Sequence, residues 1–85
     1  MQRKLVYFAW VRERIGTSGE EIDVPESVTT IADLLNHLKG LGEGYEAALQ
    51  KPEAIRVALD QEHADHDQPL GSAREIALFP PMTGG

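Results

Sequence analysis

Leu5-Val6-Tyr7-Phe8-Ala9-Trp10-Val11 is apolar without interruption. Aromatic and β-branched residues dominate it, so it predicts a first strand, either central in a sheet or covered by a partner on one face. Gly16-Thr17-Ser18-Gly19 then gathers turn-forming residues. Beyond it, Glu21-Ile22-Asp23-Val24 alternates polar and apolar up to Pro25, the pattern of a half-buried strand. These two strands are expected to form a hairpin. The period changes at Thr30-Ile31-Ala32-Asp33, which fits a capping box. Ile31, Leu34, Leu35 and Leu38 follow at i, i+3, i+4 and i+7, one face of a helix, and Gly40 supplies a stop. Tyr45, Ala48 and Leu49 predict a short second helix that ends before Lys51-Pro52. Alternation returns with Ile55, Val57 and Leu59 against Arg56, Ala58 and Asp60, a third strand. Gln61 to Gln68 is polar and reads as a turn with room for a short strand; Pro69-Leu70-Gly71 is another turn. Arg74 to Phe79 is the last strand, with Ile76 and Leu78 on one face and Ala77 and Phe79 on the other.

This order predicts an α+β fold: one main helix across a small mixed sheet, with a second short helix beside it. A β-grasp roll satisfies it at this length. The first and last strands are the most apolar and are expected side by side at the sheet centre. The body should run over residues 1–79, and residues 80–85 should form a thin tail.

The 85 residues suffice for one small domain. No cysteine is present, which removes disulfides, thiolate nucleophiles and Cys-based zinc or iron–sulfur sites. A cytoplasmic setting is therefore expected, with no membrane partner. The net charge of −6 argues against nucleic acid, whose phosphates need a basic face. It suits either docking on a basic protein surface or plain solubility.

The residues after the last strand draw attention. Pro80 and Pro81 cannot continue a sheet ladder and should project Met82, Thr83, Gly84 and Gly85 outward in extended form. An arm of this length reaches at most about 20 Å. Glycine has no Cβ, so Gly84 and Gly85 fit a channel too narrow for other residues, and the Gly85 carboxylate becomes a deliverable group. Chain ends are commonly small and disordered, but these glycines follow a strand and a proline pair without a spacer. Elsewhere the chemistry is thin. His63, Asp65, His66 and Asp67 crowd a turn that has no helix to fix metal-ligand spacing; a solvated turn accounts for them. Arg12 and Glu13 read as a surface ion pair. No Ser-His-Asp or Cys-His set is present, and Gly40-Leu41-Gly42-Glu43-Gly44 follows a helix, the wrong context for a dinucleotide loop. Phe8 and Phe79 are expected on the open sheet face as an apolar patch beside the tail.

Three stretches together resemble the small, sulfur-carrying subunit of molybdopterin synthase. They are Phe8-Ala9-Trp10-Val11-Arg12-Glu13 with Gly16, then Arg56-Val57-Ala58-Leu59-Asp60-Gln61-Glu62, and Ile76-Ala77-Leu78-Phe79-Pro80-Pro81-Met82-Thr83-Gly84-Gly85. Two positions depart from the family pattern: Asp60 stands where asparagine is frequent, and His63 where an apolar residue near the partner interface is frequent. The resemblance implies a ubiquitin-like β-grasp fold and a carrier without catalytic residues of its own. An E1-like enzyme would use ATP to adenylate Gly85, and a sulfurtransferase donor would supply sulfur for a Gly85 thiocarboxylate. The synthase large subunit would use that sulfur on a cyclic pyranopterin, in a heterotetramer of two small and two large subunits. Gly84 would give clearance. Phe8, Phe79, Pro80, Pro81, Met82 and Thr83 would contact the partner, and no cofactor would be bound. Related carriers serve thiamine synthesis or tRNA thiolation. Conjugation to lysines as a ubiquitin-like modifier, or a plain binding module with an inert tail, are the other readings.

Overall fold

A computed structural model describes residues 1–81. Strand β1 (Gln2–Tyr7) pairs antiparallel with β2 (Gly19–Asp23) and parallel with β5 (Glu75–Phe79). Strand β3 (Arg56–Leu59) pairs antiparallel with β5 and with the edge strand β4 (Glu62–Ala64). The sheet order is β2-β1-β5-β3-β4, so the first and last strands lie together at its centre, as the apolar pattern predicts. Helices α1 (Ala9–Ile15), α2 (Ile31–Lys39) and α3 (Glu43–Ala48) and a 3-10 turn at Pro52–Ala54 complete the fold.

One core joins these elements. Alternation sends Leu5 and Tyr7 of β1, Val57 of β3 and Ile76 and Leu78 of β5 to the same side of the sheet. There they meet Ile31, Leu34, Leu35 and Leu38 of α2, Val11 of α1 and Ala48 of α3. Among the described residues, the opposite face carries no helix. The capping box of α2 forms as expected: Asp33 N–H donates to Thr30 Oγ1 at 3.1 Å, and Thr30 N–H donates to Asp33 Oδ2 at 3.2 Å. These bonds hold the Asp33 carboxyl below the usual range, the backbone N–H of Thr30 contributing most.

The structure corrects the first strand. It was expected to run to Val11, but it ends at Tyr7, and Ala9 opens a helix with φ 52°. Val11 and Ile15 lie four apart and both pack on the core, a helical spacing within a stretch that also alternates poorly. Gly16, at φ 97°, closes α1 as a left-handed cap, and its N–H donates to Arg12 O at 2.8 Å. The two first strands therefore pair without a tight hairpin, since α1 lies between them. The expected Arg12–Glu13 ion pair is also absent: among the described residues the ion pair is Met1 with Asp23.

Two tight fits hold the helical layer to the sheet. A Cβ on Gly44 of α3 would lie 2.7 Å from Arg14 O and 3.3 Å from Ile15 O, so the end of α1 presses directly on α3. Tyr7 Oη and Tyr45 Oη both donate to Glu20 Oε2, at 2.8 and 2.7 Å, tying β1, β2 and α3 at one carboxylate oxygen. Burial, then the bond to Glu20, pushes the Tyr7 phenol far up; the bond to Glu20, then burial, pushes Tyr45 up to about 12.

The β3–β4 connection is a two-residue turn in which Asp60 and Gln61 both have positive φ, 48° and 73°. That is the geometry of a type I′ hairpin, which asparagine and glycine adopt most easily. The Asp60 side chain offsets the strain. Its Oδ1 accepts from Arg74 N–H at 3.0 Å and Glu75 N–H at 2.9 Å, clamping the start of β5.

Three outcomes are expected. Gly44→Ala should lower stability by about 1–3 kcal/mol, because its Cβ meets backbone that cannot rotate away; urea unfolding measures this. Asp60→Ala should cost about 1–2 kcal/mol in the same assay, and Asp60→Asn much less, because the amide keeps an acceptor oxygen and suits the turn. A phenol whose folded pKa exceeds its unfolded value of 10.0 gives stability that is complete below pH 10 and lost as pH rises toward 12. The thermal midpoint should fall across that window, and Tyr45→Phe should make the fall shallower.

Candidate functional site

The chemistry suggested by the sequence lies beyond Phe79, so the site is the root from which the arm leaves. The lattice of bonds around β5 fixes that root. Ahead of the strand, Arg3 is only 8% exposed, and its guanidinium reaches the preceding loop. Nη1 donates to Ala73 O at 2.7 Å and Nη2 donates to Gly71 O at 2.9 Å. Among the described residues no carboxylate pairs with this buried cation; loop carbonyls meet its two terminal nitrogens while Nε is buried without a partner, and these bonds fix the loop and β1 to each other. Lys4 N–H donates to Arg74 O at 2.7 Å, and Asp60 takes the next two N–H groups of the chain. Further on, β5 is laddered on both sides, to β1 and to β3.

At the far end the ladder reaches one residue past β1, where Phe8 N–H donates to Leu78 O at 3.2 Å. The turn at Ala9 then carries the chain away, leaving the Phe8 side chain 48% exposed. Phe79 is half-buried, and its ring meets His63 of β4 edge to face, with centroids 5.4 Å apart and planes at 87°. Arg56 lies opposite Phe79 across the β3–β5 ladder. Register and alternation therefore place Phe8, Phe79, Arg56 and His63 at one end of the open face, as expected for the two phenylalanines. Pro80 and Pro81 follow outside any strand. Met82, Thr83, Gly84 and Gly85 lie outside the described residues.

The histidine cluster divides. His63 faces Phe79 on the open sheet, while His66, two residues past β4, bonds through Nε2 to Ile55 O just ahead of β3 at 2.7 Å. Among the described residues, no group of three His, Cys, Asp or Glu side chains is placed to hold a metal ion. No helix among them is long and apolar enough to cross a membrane.

Sequence reasoning missed Arg3, the double acceptor Glu20 and the clamp made by Asp60. Arg3 carried a faint signal, a lone cation at an inward strand position; the others depend on partners distant in the chain.

The comparisons agree with this geometry. The chain is 34% identical over 84 residues to the molybdopterin synthase sulfur carrier subunit of Escherichia coli K12, covering 96% of this chain and 98% of that protein. The protein of the same name from Dictyostelium discoideum is 35% identical over 86 residues, covering 99% and 96%. Among solved structures, SAMP1 from Haloferax volcanii superposes with a TM-score of 0.71 at 26% identity over all of both chains. A Pyrococcus furiosus protein described as a putative molybdopterin converting factor, subunit 1, superposes at 0.75 with 23% identity, covering 96% and 99%. Residues 5–85 match the ThiS family. The chain belongs to that family and has its ubiquitin-like β-grasp fold.

Proposed function

We propose that this chain is the sulfur-carrier subunit of a molybdopterin synthase. The observation that carries the reading is identity of about a third, along nearly the whole chain, to carriers of that name. An arm root held on both sides of β5 suits it, because a rigid base aims a narrow arm without losing entropy at each docking.

In this reading the Gly85 carboxylate attacks the α-phosphorus of ATP on an E1-like enzyme, releasing pyrophosphate. The acyl-adenylate is then a good electrophile. The persulfide sulfur of a sulfurtransferase donor displaces AMP, and a thiol then cleaves the acyl disulfide, leaving a thiocarboxylate at Gly85 and the donor sulfur in a disulfide with that thiol. The arm next enters the synthase large subunit, whose residues direct that sulfur onto the cyclic pyranopterin, and two deliveries build the dithiolene. Gly84 gives clearance, Pro80 and Pro81 set the exit direction, and Phe8, Phe79, Met82 and Thr83 contact the partner. The chain binds no cofactor; ATP belongs to the activating enzyme. The working complex holds two small and two large subunits, in the cytoplasm.

A second reading has its own support. The likeness to small archaeal modifier protein 1 favours conjugation through Gly85 to lysines of other proteins.

Deleting Gly85 should abolish sulfur transfer while leaving the fold intact, since the core is complete by Leu78. Reconstituted synthase with purified components measures the first effect and circular dichroism the second. Full activity of the shortened chain would overturn the carrier reading. Mass spectrometry of the C-terminal peptide from native cells separates the readings: oxygen-to-sulfur exchange marks a carrier, and an isopeptide remnant on lysine marks a modifier. Copurification with a thiazole synthase alone would redirect the carrier to thiamine synthesis.

A further inference from the structure

The chain holds fourteen acidic residues against eight lysines and arginines, yet the only charged residues lining one concavity are cations. It lies between α1, α3 and the 3-10 turn, lined by Trp10, Arg14, Lys51, Gln50 and the small residues Ala47 and Ala54. Among the described residues, no carboxylate lines it. Trp10 is the only tryptophan. Its ring is half-exposed beneath the Arg14 guanidinium, whose carbon sits 4.7 Å from the ring centroid. Arg14 and Lys51 are both exposed, and neither makes an ion pair among the described residues.

Tryptophan and arginine are the side chains that concentrate binding energy at protein interfaces. Stacking on the indole holds the Arg14 fork in place, so less freedom is lost when it meets a carboxylate. The walls of the concavity also lead to the arm root. Trp10 follows Phe8 by two residues, and Ala54 precedes Arg56 by two; Phe8, one residue past β1, and Arg56, on β3, both lie beside β5. A protein that receives the arm is thus within reach of this surface, round the corner from the open sheet face.

We infer that the Trp10–Arg14–Lys51 concavity is a second docking surface, occupied by an acidic segment of the synthase large subunit. This rests on the carrier reading. The open face supplies apolar contact through Phe8 and Phe79, and the concavity supplies charge complementarity, which acts on encounter rate and orientation.

The test uses the full-length chain and the large subunit from the same cell. Binding is followed by surface plasmon resonance at low and high salt. The double reversal Arg14→Glu with Lys51→Glu should weaken binding about tenfold or more at low salt, mostly through association, and the deficit should shrink at high salt. Lys39→Glu, at the end of α2, should leave binding unchanged. Fluorotryptophan labelling gives a single fluorine resonance at Trp10, which should move when the large subunit is added. Equal binding by the reversed chain overturns the inference. So does weakened binding with a fluorine resonance that stays in place, since the charges would then act from a distance. No binding by the unmodified chain overturns the carrier reading, and this inference with it.

Discussion

The parallel pairing of β1 with β5 is the constraint on which the other arrangements depend. A parallel pair needs a long crossover, and here nearly the whole chain supplies it: α1, β2, α2, α3, β3 and β4 all lie between the two strands. The pair sits at the sheet centre, so its inward residues Leu5, Tyr7, Ile76 and Leu78 are the floor on which the helices rest. Arg3, Lys4 and Asp60 fix where β5 begins, through bonds to backbone that no side-chain substitution in β5 removes. The end of β5 then sets where Pro80 and Pro81 leave the sheet.

The two faces of the sheet divide the work. The inner face is closed by apolar contact and by Glu20, which accepts hydrogen bonds from two phenols and so links strand and helix layers. The outer face keeps Phe8 and Phe79 within reach of solvent at the arm root, with His63 and Arg56 beside them. Exposed aromatic area of this kind is costly in isolation and useful when a partner covers it. The strained backbone at Ala9 belongs to the same economy of position: turning the chain there brings Phe8 to the surface and starts α1 at once.

Period and punctuation made most of the fold legible in the sequence. The α2 face, its capping box, the short α3, the third strand and the inward pair Ile76 and Leu78 all follow from spacing. The first strand misled because Val11 and Trp10 extend an apolar run across a backbone turn, and continuous apolarity carries no phase to tell strand from helix. Gly16 was read as part of a turn, although a glycine one residue past Ile15 is also a helix stop. Gly40 was read as the stop of α2 and is one, but with ordinary right-handed backbone, so its place in the sequence mattered more than its conformational freedom. The end of β5 was legible from Pro80 and Pro81 because proline acts locally. The clamps were not, because Asp60 meets Arg74 and Arg3 meets Gly71 only after the sheet has formed.

The central position of β5 also shapes the life of the chain before it meets any partner. Contacts between sequence-distant strands form late and slowly, because the intervening loop must close first. A nascent or truncated chain that stops before Glu75 lacks the middle of its sheet, so Leu5 and Val57 have no strand between them. Such fragments expose their core and fall to proteolysis. Truncation before β5 is therefore a folding defect as well as a loss of the residues that follow the strand.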